Sequence, residues 1–479
     1  MKNTTVSALL IFLTALSISA CKAIGPDYQS PVVPVMESFS TQDTITFCRD
    51  ADMKRWWEKL EDPTLDRLIS HAISKNQDVR IAVFRILEAR ANKGLATSET
   101  LPSFDANASV NALRSSKTGL DTANLPSTIM EDYDATQILH EGGFDASWEI
   151  DLFGRIKRSI EAADAEIGAS ESDLADTMVA LLCDVAKNYV EIRKVQAQTD
   201  VVTKNLDLQQ KTLDLIEKRF KSGMDTQLNI TTSKALIADT KARIPQLAAQ
   251  QKTLRHRLAI LLGEAPDFLI SILDNNPQIP SFPEKLVVGI PADLLRVRPD
   301  IRTAERQLAA QVARIGVAKA DFYPRLGFNG SIGLSIVDLG EMTLDNSWTG
   351  SIGPSFSWAI FNGGAVRARV AAADARSKQA LALYEKTVFH AYEEVENALV
   401  QHKEELLRKV HLKTAVAENT RAYELSLRLY TCGLADYIHV LDSERNLLNS
   451  KERFIESLAL VTDSVIELHK AFGGGLAVR

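Results

Sequence analysis

Phe144-Asp145-Ala146-Ser147-Trp148-Glu149-Ile150-Asp151-Leu152-Phe153-Gly154-Arg155 joins two periodicities that one element cannot hold. Through Ile150, apolar Phe144, Ala146, Trp148 and Ile150 alternate with polar Asp145, Ser147 and Glu149. A period of two is a strand of a half-buried sheet. Between Gly154 and Gly223 there is no proline, and Leu174, Met178, Leu181, Val185, Tyr189 and Ile192 recur at spacings of three and four. That predicts a long helix with a coiled-coil-like seam.

Alternation marks three further strands. Phe104, Ala106, Ala108, Val110 and Ala112 alternate with Asp105, Asn107, Ser109 and Asn111. Leu326, Phe328, Ile332, Leu334 and Ile336 alternate with Arg325, Asn329, Ser331 and Ser335. Trp348, Ile352, Phe356, Trp358 and Ile360 alternate with Thr349, Ser351, Ser355 and Ser357. The polar side is small Ser, Asn, Gly and Asp, which suits a water-filled lumen; one face of a soluble β-sandwich gives the same pattern. Four strands cannot close a barrel, for which about eight are the practical minimum. An open sheet in lipid leaves unsatisfied edges. If these strands span a bilayer, several chains share one barrel, and a trimer supplies twelve strands, an even number.

The chain also repeats itself. Asn76-Gln77-Asp78-Val79-Arg80 resembles Arg298-Pro299-Asp300-Ile301-Arg302, an offset of 222 that holds for Gly94/Gly316, Ala96/Ala318, Pro102/Pro324, Asn107/Asn329 and Ser109/Ser331. Ser147-Trp148 matches Ser357-Trp358 at an offset of 210, which holds for Gly154/Gly364, Gly223/Gly433 and Gly263/Gly473. The first copy therefore carries about 12 extra residues between Ser109 and Ser147. Constant offsets indicate a duplicated unit of helix, strand, strand, long helix, turn and helix.

The spans between the glycines of each pair, Gly154 to Gly223 and Gly364 to Gly433, are both 69 positions, which as helix is roughly 100 Å. A plain coiled coil explains such a seam equally well; the strands and the repeat argue against it. Helices over 65–97 and 225–262 have a summed length matching one long helix, with counterparts at 293–320 and 435–472. A crossing with Pro266, Pro277, Pro280, Pro283 and Pro291 then sits near mid-height of a helical cylinder.

Lys2, the apolar run Val6–Leu16 and then Ile18-Ser19-Ala20-Cys21 describe a secretory signal. Ile-Ser-Ala before Cys21 resembles the bacterial lipobox, in which the thiol is acylated and the preceding peptide removed. An ordinary signal peptide with a chance cysteine is the alternative. Lys22, rather than Asp, as the second mature residue favours the outer membrane. Of the 479 residues 45% are hydrophobic and 24% charged, and no run is long and apolar enough for a polytopic helical membrane protein. A formal charge of −7 argues against a nucleic-acid partner. Cys48, Cys183 and Cys432 fit no zinc spacing, and Cys183 reads as a buried small hydrophobe. No His-Glu-x-x-His pair, phosphate-cradling Gly-Lys loop or Gly-x-Ser-x-Gly elbow is present, so nothing argues for an enzyme.

The expected organisation is a signal peptide at 1–20, a lipidated extended arm at 21–60 and a first repeat at 61–262 with strands near 103–115 and 142–151. A crossing at 263–292, a second repeat at 293–475 with strands near 325–337 and 348–361, and a tail at 476–479 complete it.

Ile24-Gly25-Pro26-Asp27-Tyr28 with Pro31, Trp56-Trp57 with Asp62-Pro63-Thr64-Leu65, Trp148 to Arg155, Arg298-Pro299-Asp300-Ile301 and Phe472-Gly473-Gly474-Gly475 together resemble the TolC-like outer-membrane efflux proteins, NodT-type lipoprotein branch. The resemblance covers essentially the whole mature chain. It implies a mainly α fold with a membrane β-barrel: a homotrimer sharing one twelve-stranded barrel in the outer membrane and a long periplasmic α-helical barrel. It further implies N-acyl and S-diacylglycerol lipid (palmitate) on Cys21, no other cofactor and no metal. The implied partners are a periplasmic adaptor (membrane fusion) protein, an inner-membrane transporter of the RND type and outer-membrane lipid. The implied role is the exit duct of a tripartite efflux system for drugs or other toxic small molecules. A protein-secretion outlet and a pore-free periplasmic coiled-coil lipoprotein are the alternatives.

By the same resemblance Lys221, Ser222, Gly223 and Met224 form one adaptor-docking tip and Thr431, Cys432, Gly433 and Leu434 the other. Asp442 and His439 fall where acidic residues often line the family's tunnel aperture; His439 replaces the first acid. They are three apart and share a helix face. Below the reference imidazole pKa of about 6.5, His439 gains charge beside Asp442, which makes the aperture sensitive to pH.

Overall fold

The computed structural model describes residues 23–31, 45–47, 55–114, 136–268, 273, 278–282, 286–288, 298–337 and 347–474. Short strands β1 (Ile45–Phe47) and β4 (Leu286–Val288) pair in parallel. The first copy is α1 (Pro63–Lys75), α2 (Gln77–Ser98), β2 (Ser103–Arg114), β3 (Thr136–Ile150), α3 (Arg155–Lys221) and α4 (Gln227–Leu261). The second is α5 (Pro299–Ala320), β5 (Arg325–Ile336), β6 (Trp348–Ser357), α6 (Ala365–Thr431) and α7 (Tyr437–Ala471). Helices α3 and α6 each have 67 residues, and α4 and α7 each have 35.

The chain forms two compact units. One comprises Met1–Ser30, Leu87–Gly168 and Arg306–Ala382 and carries the four-stranded sheet; the other comprises Pro31–Ile86, Ala169–Glu305 and Leu383–Arg479. The sheet order is β2-β3-β5-β6, antiparallel throughout. Its register matches like with like. Ala106, Phe144, Ile332 and Gly350 form one rung, and the next is Asp105, Asp145, Ser331 and Ser351. A slip of one residue in any strand would mix the two faces. Strand β3 begins at Thr136, not near 142. The adjacent pairs Ile138-Leu139 and Gly142-Gly143 hide its alternation, yet Ile138 pairs with Ala112 on the apolar side. Strand β6 ends at Ser357, not 361, where the Trp358 indole instead donates to the Phe322 carbonyl at 3.0 Å.

The expected helix over 65–97 is two. Asn76 caps α2 by accepting from the Asp78 and Val79 amides at 2.8 and 3.1 Å, and its own side-chain nitrogen donates to the Leu261 carbonyl at 2.8 Å. At the matching place of the second copy, Arg298 donates to the Ala471 carbonyl. Residues 76 and 298 keep the first offset, and 261 and 471 the second, so the duplication extends to individual hydrogen bonds. Gly263 sits at the same junction with φ +73; a Cβ there would lie 2.3 Å from the Lys75 carbonyl oxygen.

The main core of the second unit surrounds the middle of α3. Leu181, Leu182, Val185, Ala186, Tyr189, Val190 and Ile192 are all buried there, with Trp56, Leu65, Ile69, Leu258 and Ile466. The expected seam is therefore buried over most of its circumference at this level, with Asp184, Lys187 and Glu191 partly exposed, while Leu174 and Met178 are half-buried.

Candidate functional site

The two faces of the sheet are chemically distinct. Phe104, Val110, Phe144, Trp348, Ile352 and Phe356 are all at least 62% exposed on one side. A β-sandwich would cover such a face with a second sheet; its own unit leaves it open. A contiguous exposed apolar face of this size, on strands of 10 to 15 residues, fits lipid. The opposite face carries Ser103–Ser147 and Ser331–Ser351 hydrogen bonds at 2.8 and 2.7 Å, and Asn107 donates to Asp145. At the end of the sheet from which α3 departs, the Trp148 indole donates to the Thr100 carbonyl at 2.9 Å, the counterpart of Trp358 to Phe322, and Phe153 stacks on Tyr323 at 4.9 Å. Aromatic rings with satisfied polar ends are typical of a membrane–water interface.

Both tips close by the same device. Gly223 and Gly433 adopt φ +72 and +73, and their N–H groups donate to the Phe220 and Tyr430 carbonyls at 2.9 and 3.0 Å. Met224 and Leu434 donate five residues back, to Arg219 and Leu429, at 2.9 Å. Left-handed glycine with this bond pair ends a helix and reverses the chain. A Cβ on either glycine meets open space. Met224 and Leu434 are 61% and 76% exposed, and Cys432 is an exposed free thiol. The two tips are also joined: Arg219 donates to the Thr431 carbonyl at 3.0 Å and lies over the Tyr430 ring, whose hydroxyl donates to Asp225. The sequence alone gave no sign of this bridge, because no spacing rule links residues so far apart.

Helix α7 carries His439 and Asp442, both exposed and on one face. Its other face, Tyr437, Val440, Leu441, Leu447 and Leu448, is buried, and Glu444 falls on that buried stripe at 1% exposure. Neither Glu444 carboxylate oxygen has a hydrogen-bond partner among the described residues. Burial raises its pKa to about 7. The phenols of Tyr423 on α6 and Tyr437 on α7 face it and are themselves raised by burial. Thr212 of α3 lies 3.5 Å from the Tyr423 hydroxyl, and Ser233 of α4 lies beside Tyr437. All four helices thus contribute to one buried polar layer. The spacing 437, 440, 441, 444, 447, 448 was the available signal for the burial of Glu444.

Cys21 and Cys48 lie outside the described residues. Cys183 is buried, with its thiol pushed up to about 12 by burial, as a small core hydrophobe would be.

The family model for the outer membrane efflux protein matches twice, over residues 68–264 and 290–474. Nodulation protein T of Rhizobium leguminosarum bv. trifolii is 31% identical over 437 residues, covering 90% of each chain. The solvent efflux pump outer membrane protein SrpC of Pseudomonas putida is 30% identical over 470 residues, covering 97% of each. Among solved structures, the outer-membrane channel OprN superposes with a TM-score of 0.85 at 32% identity, covering 94% of this chain and 99% of that one. A chain with this sheet, these paired helices and these relatives belongs to the outer membrane efflux protein family, NodT type: it is an outer-membrane channel component of an efflux system with a large periplasmic helical part, and not an enzyme.

Proposed function

We propose that three copies close one twelve-stranded barrel and one helical tunnel, the exit duct of a tripartite efflux system for small toxic organic molecules. The observation that carries this reading is the sheet, whose apolar face is exposed and whose edge strands β2 and β6 have no partner on their outer sides among the described residues. Three antiparallel steps separate β2 from β6, so β6 of one copy and β2 of the next also run antiparallel. A ring of copies therefore closes without a mismatched pair or an edge open to lipid. Organic cargo is favoured by the likeness to a solvent efflux pump component. The remaining parts of the reading are an RND-type transporter, a periplasmic adaptor and an acylated Cys21. The test is fractionation: a heat-modifiable trimer in outer membranes is expected, with loss of organic-solvent tolerance on deletion. A soluble periplasmic monomer overturns the reading.

In this reading Asp442 and His439 ring the aperture. Asp442→Ala is expected to raise single-channel conductance of the reconstituted trimer by roughly twofold or more, because a ring of three carboxylates no longer constrains the narrowest section. Unchanged conductance removes the aperture assignment. Equal conductance and selectivity at pH 5 and 8, in wild type and in His439→Ala, removes the pH-sensitive role of His439.

The tips, Lys221 to Met224 and Thr431 to Leu434, dock the adaptor. Gly223→Trp and Gly433→Trp should each leave trimers intact, since a Cβ at either position meets nothing within 4 Å and the left-handed backbone costs only about 1–2 kcal/mol. Adaptor capture should fall at least tenfold, roughly the effect of losing one hot-spot contact. Wild-type levels of adaptor cross-linking through Cys432 in Gly223→Trp would falsify the docking role.

A further inference from the structure

The peptide that follows Cys21 is held unusually tightly for an extended arm. One guanidinium, Arg158 on the first turn of α3, serves three successive carbonyls: Nε donates to Ile24 at 3.2 Å, and Nη2 lies 3.4 Å from both Ala23 and Gly25. Nη2 also pairs with Asp27 at 2.6 Å, and Nη1 with Glu161 at 2.7 Å. The Arg158 side chain is only 5% exposed. The Ile24 amide donates to the Phe153 carbonyl at 3.1 Å.

Glycine makes the approach possible. A Cβ on Gly25, at φ +106, would lie 2.5 Å from the Gly316 Cα, and one on Gly316 would lie 2.8 Å from the Ile24 carbonyl oxygen. A Cβ on Gly154 would lie 2.5 Å from that of Ala23. The repeat supplies an internal control. At the counterparts of Arg158 and Gly316 stand Ala368 and Gly94, and a Cβ on Gly94 meets nothing within 4 Å. The clasp therefore exists in one copy only, where there is an arm to hold.

Its position is informative. Phe153 and Gly154 belong to the sheet end marked by Trp148, Trp358 and the Phe153–Tyr323 stack. Cys21 is two residues before Ala23, and thus within about 7 Å of it along the chain. We propose that Arg158, with Gly25, Gly154 and Gly316, forms a clasp that binds the peptide after the lipid attachment point and holds the acyl chains beside the barrel at its inner-leaflet aromatic belt. The proposal rests on the reading of Cys21 as acylated. Arg158 is a positioning residue: it makes anchor and barrel enter the membrane as one body.

Trypsin reads the clasp directly, because the Lys22–Ala23 bond can be cut only when residues 23–25 leave Arg158. Wild-type trimer, Arg158→Ala, Arg158→Lys and Gly25→Ala are compared in reconstituted vesicles, with the appearance of a chain that begins at Ala23 followed by mass. Gly25→Ala opens the clasp from the arm without altering α3. Cleavage in Arg158→Ala and Gly25→Ala is expected at least about tenfold faster than in wild type, with trimers still heat-modifiable. Arg158→Lys, with one compact donor head for three carbonyls, should fall between. Equal cleavage rates in all four overturn the clasp. The mass of the N-terminus before digestion tests acylation separately: an unmodified chain refutes the lipid reading, while the cleavage rates still decide whether Arg158 binds the arm.

Discussion

Ile332→Arg is expected to remove the protein from the outer membrane, leaving unassembled protomers in the periplasm. Ile332 lies mid-strand in β5 and is 60% exposed on the apolar face, between Phe144 on β3 and Gly350 on β6. An arginine on the lipid face near the bilayer midplane costs about 2–4 kcal/mol, and a trimer incurs it three times. The control is one residue away. Ser331→Arg points to the opposite face, where Ser331 bonds Ser351 at 2.7 Å across what the reading makes the lumen. That variant should assemble normally and shift ion selectivity toward anions. Because the two substitutions share charge, size and strand, their difference isolates the side of the sheet. Comparable assembly of both, measured as heat-modifiable trimer in outer-membrane fractions, sinks the assignment of lipid and lumen faces.

That contrast was legible in the sequence because a strand's period is two and the faces differ in kind. The same holds for the helix-ending glycines, since a left-handed turn after a long proline-free run leaves few other residues. The features that local pattern does not encode depend on contacts between distant segments. The break at Asn76 is fixed by the end of α4, which lands there through Leu261 and Gly263; the local marks of it are weak, an asparagine suited to an N-cap and, at the matching place of the second copy, Pro299. The wide burial of the middle of α3 follows from packing by several elements at once, which a single helix's periodicity does not record. The Arg158 clasp is a long-range contact of the same kind. In the candidate site, His439 and Asp442 were found by likeness and share an exposed face as the spacing requires. Glu444, two residues on, stands on the buried stripe of the same helix, where a carboxylate is not expected without a partner.

Glu444 gives the second large effect, and its sign is opposite to that of an ordinary ion-paired carboxylate. Burial without a partner raises its pKa in the folded protein from 4.5 to about 7. The folded state therefore binds the proton more tightly than the unfolded chain. Its contribution to stability is complete below pH 4.5 and is lost as pH rises through 7. The shift corresponds to a loss on the order of 3 kcal/mol in the four-helix layer next to the tips. Hydrogen-exchange protection of residues 437–448, corrected for intrinsic exchange, should thus fall about a hundredfold between pH 5 and pH 8. In Glu444→Gln the side chain stays neutral, so the slope should vanish. Its protection is lower than wild type at acid pH, because the amide brings unpaired donors at every pH. The readout must be local because Asp463, further along α7, is half-buried and also raised to about 7, by desolvation and by Glu191. Asp442→Asn is the control: exposed on the other face, it should leave the slope unchanged. If the loosening reaches that face, aperture conductance in wild type rises over the same pH range, and Glu444→Gln abolishes the rise while His439→Ala does not. An identical exchange slope in wild type and Glu444→Gln would show that the carboxyl is solvated in the assembled trimer and carries no proton at neutral pH.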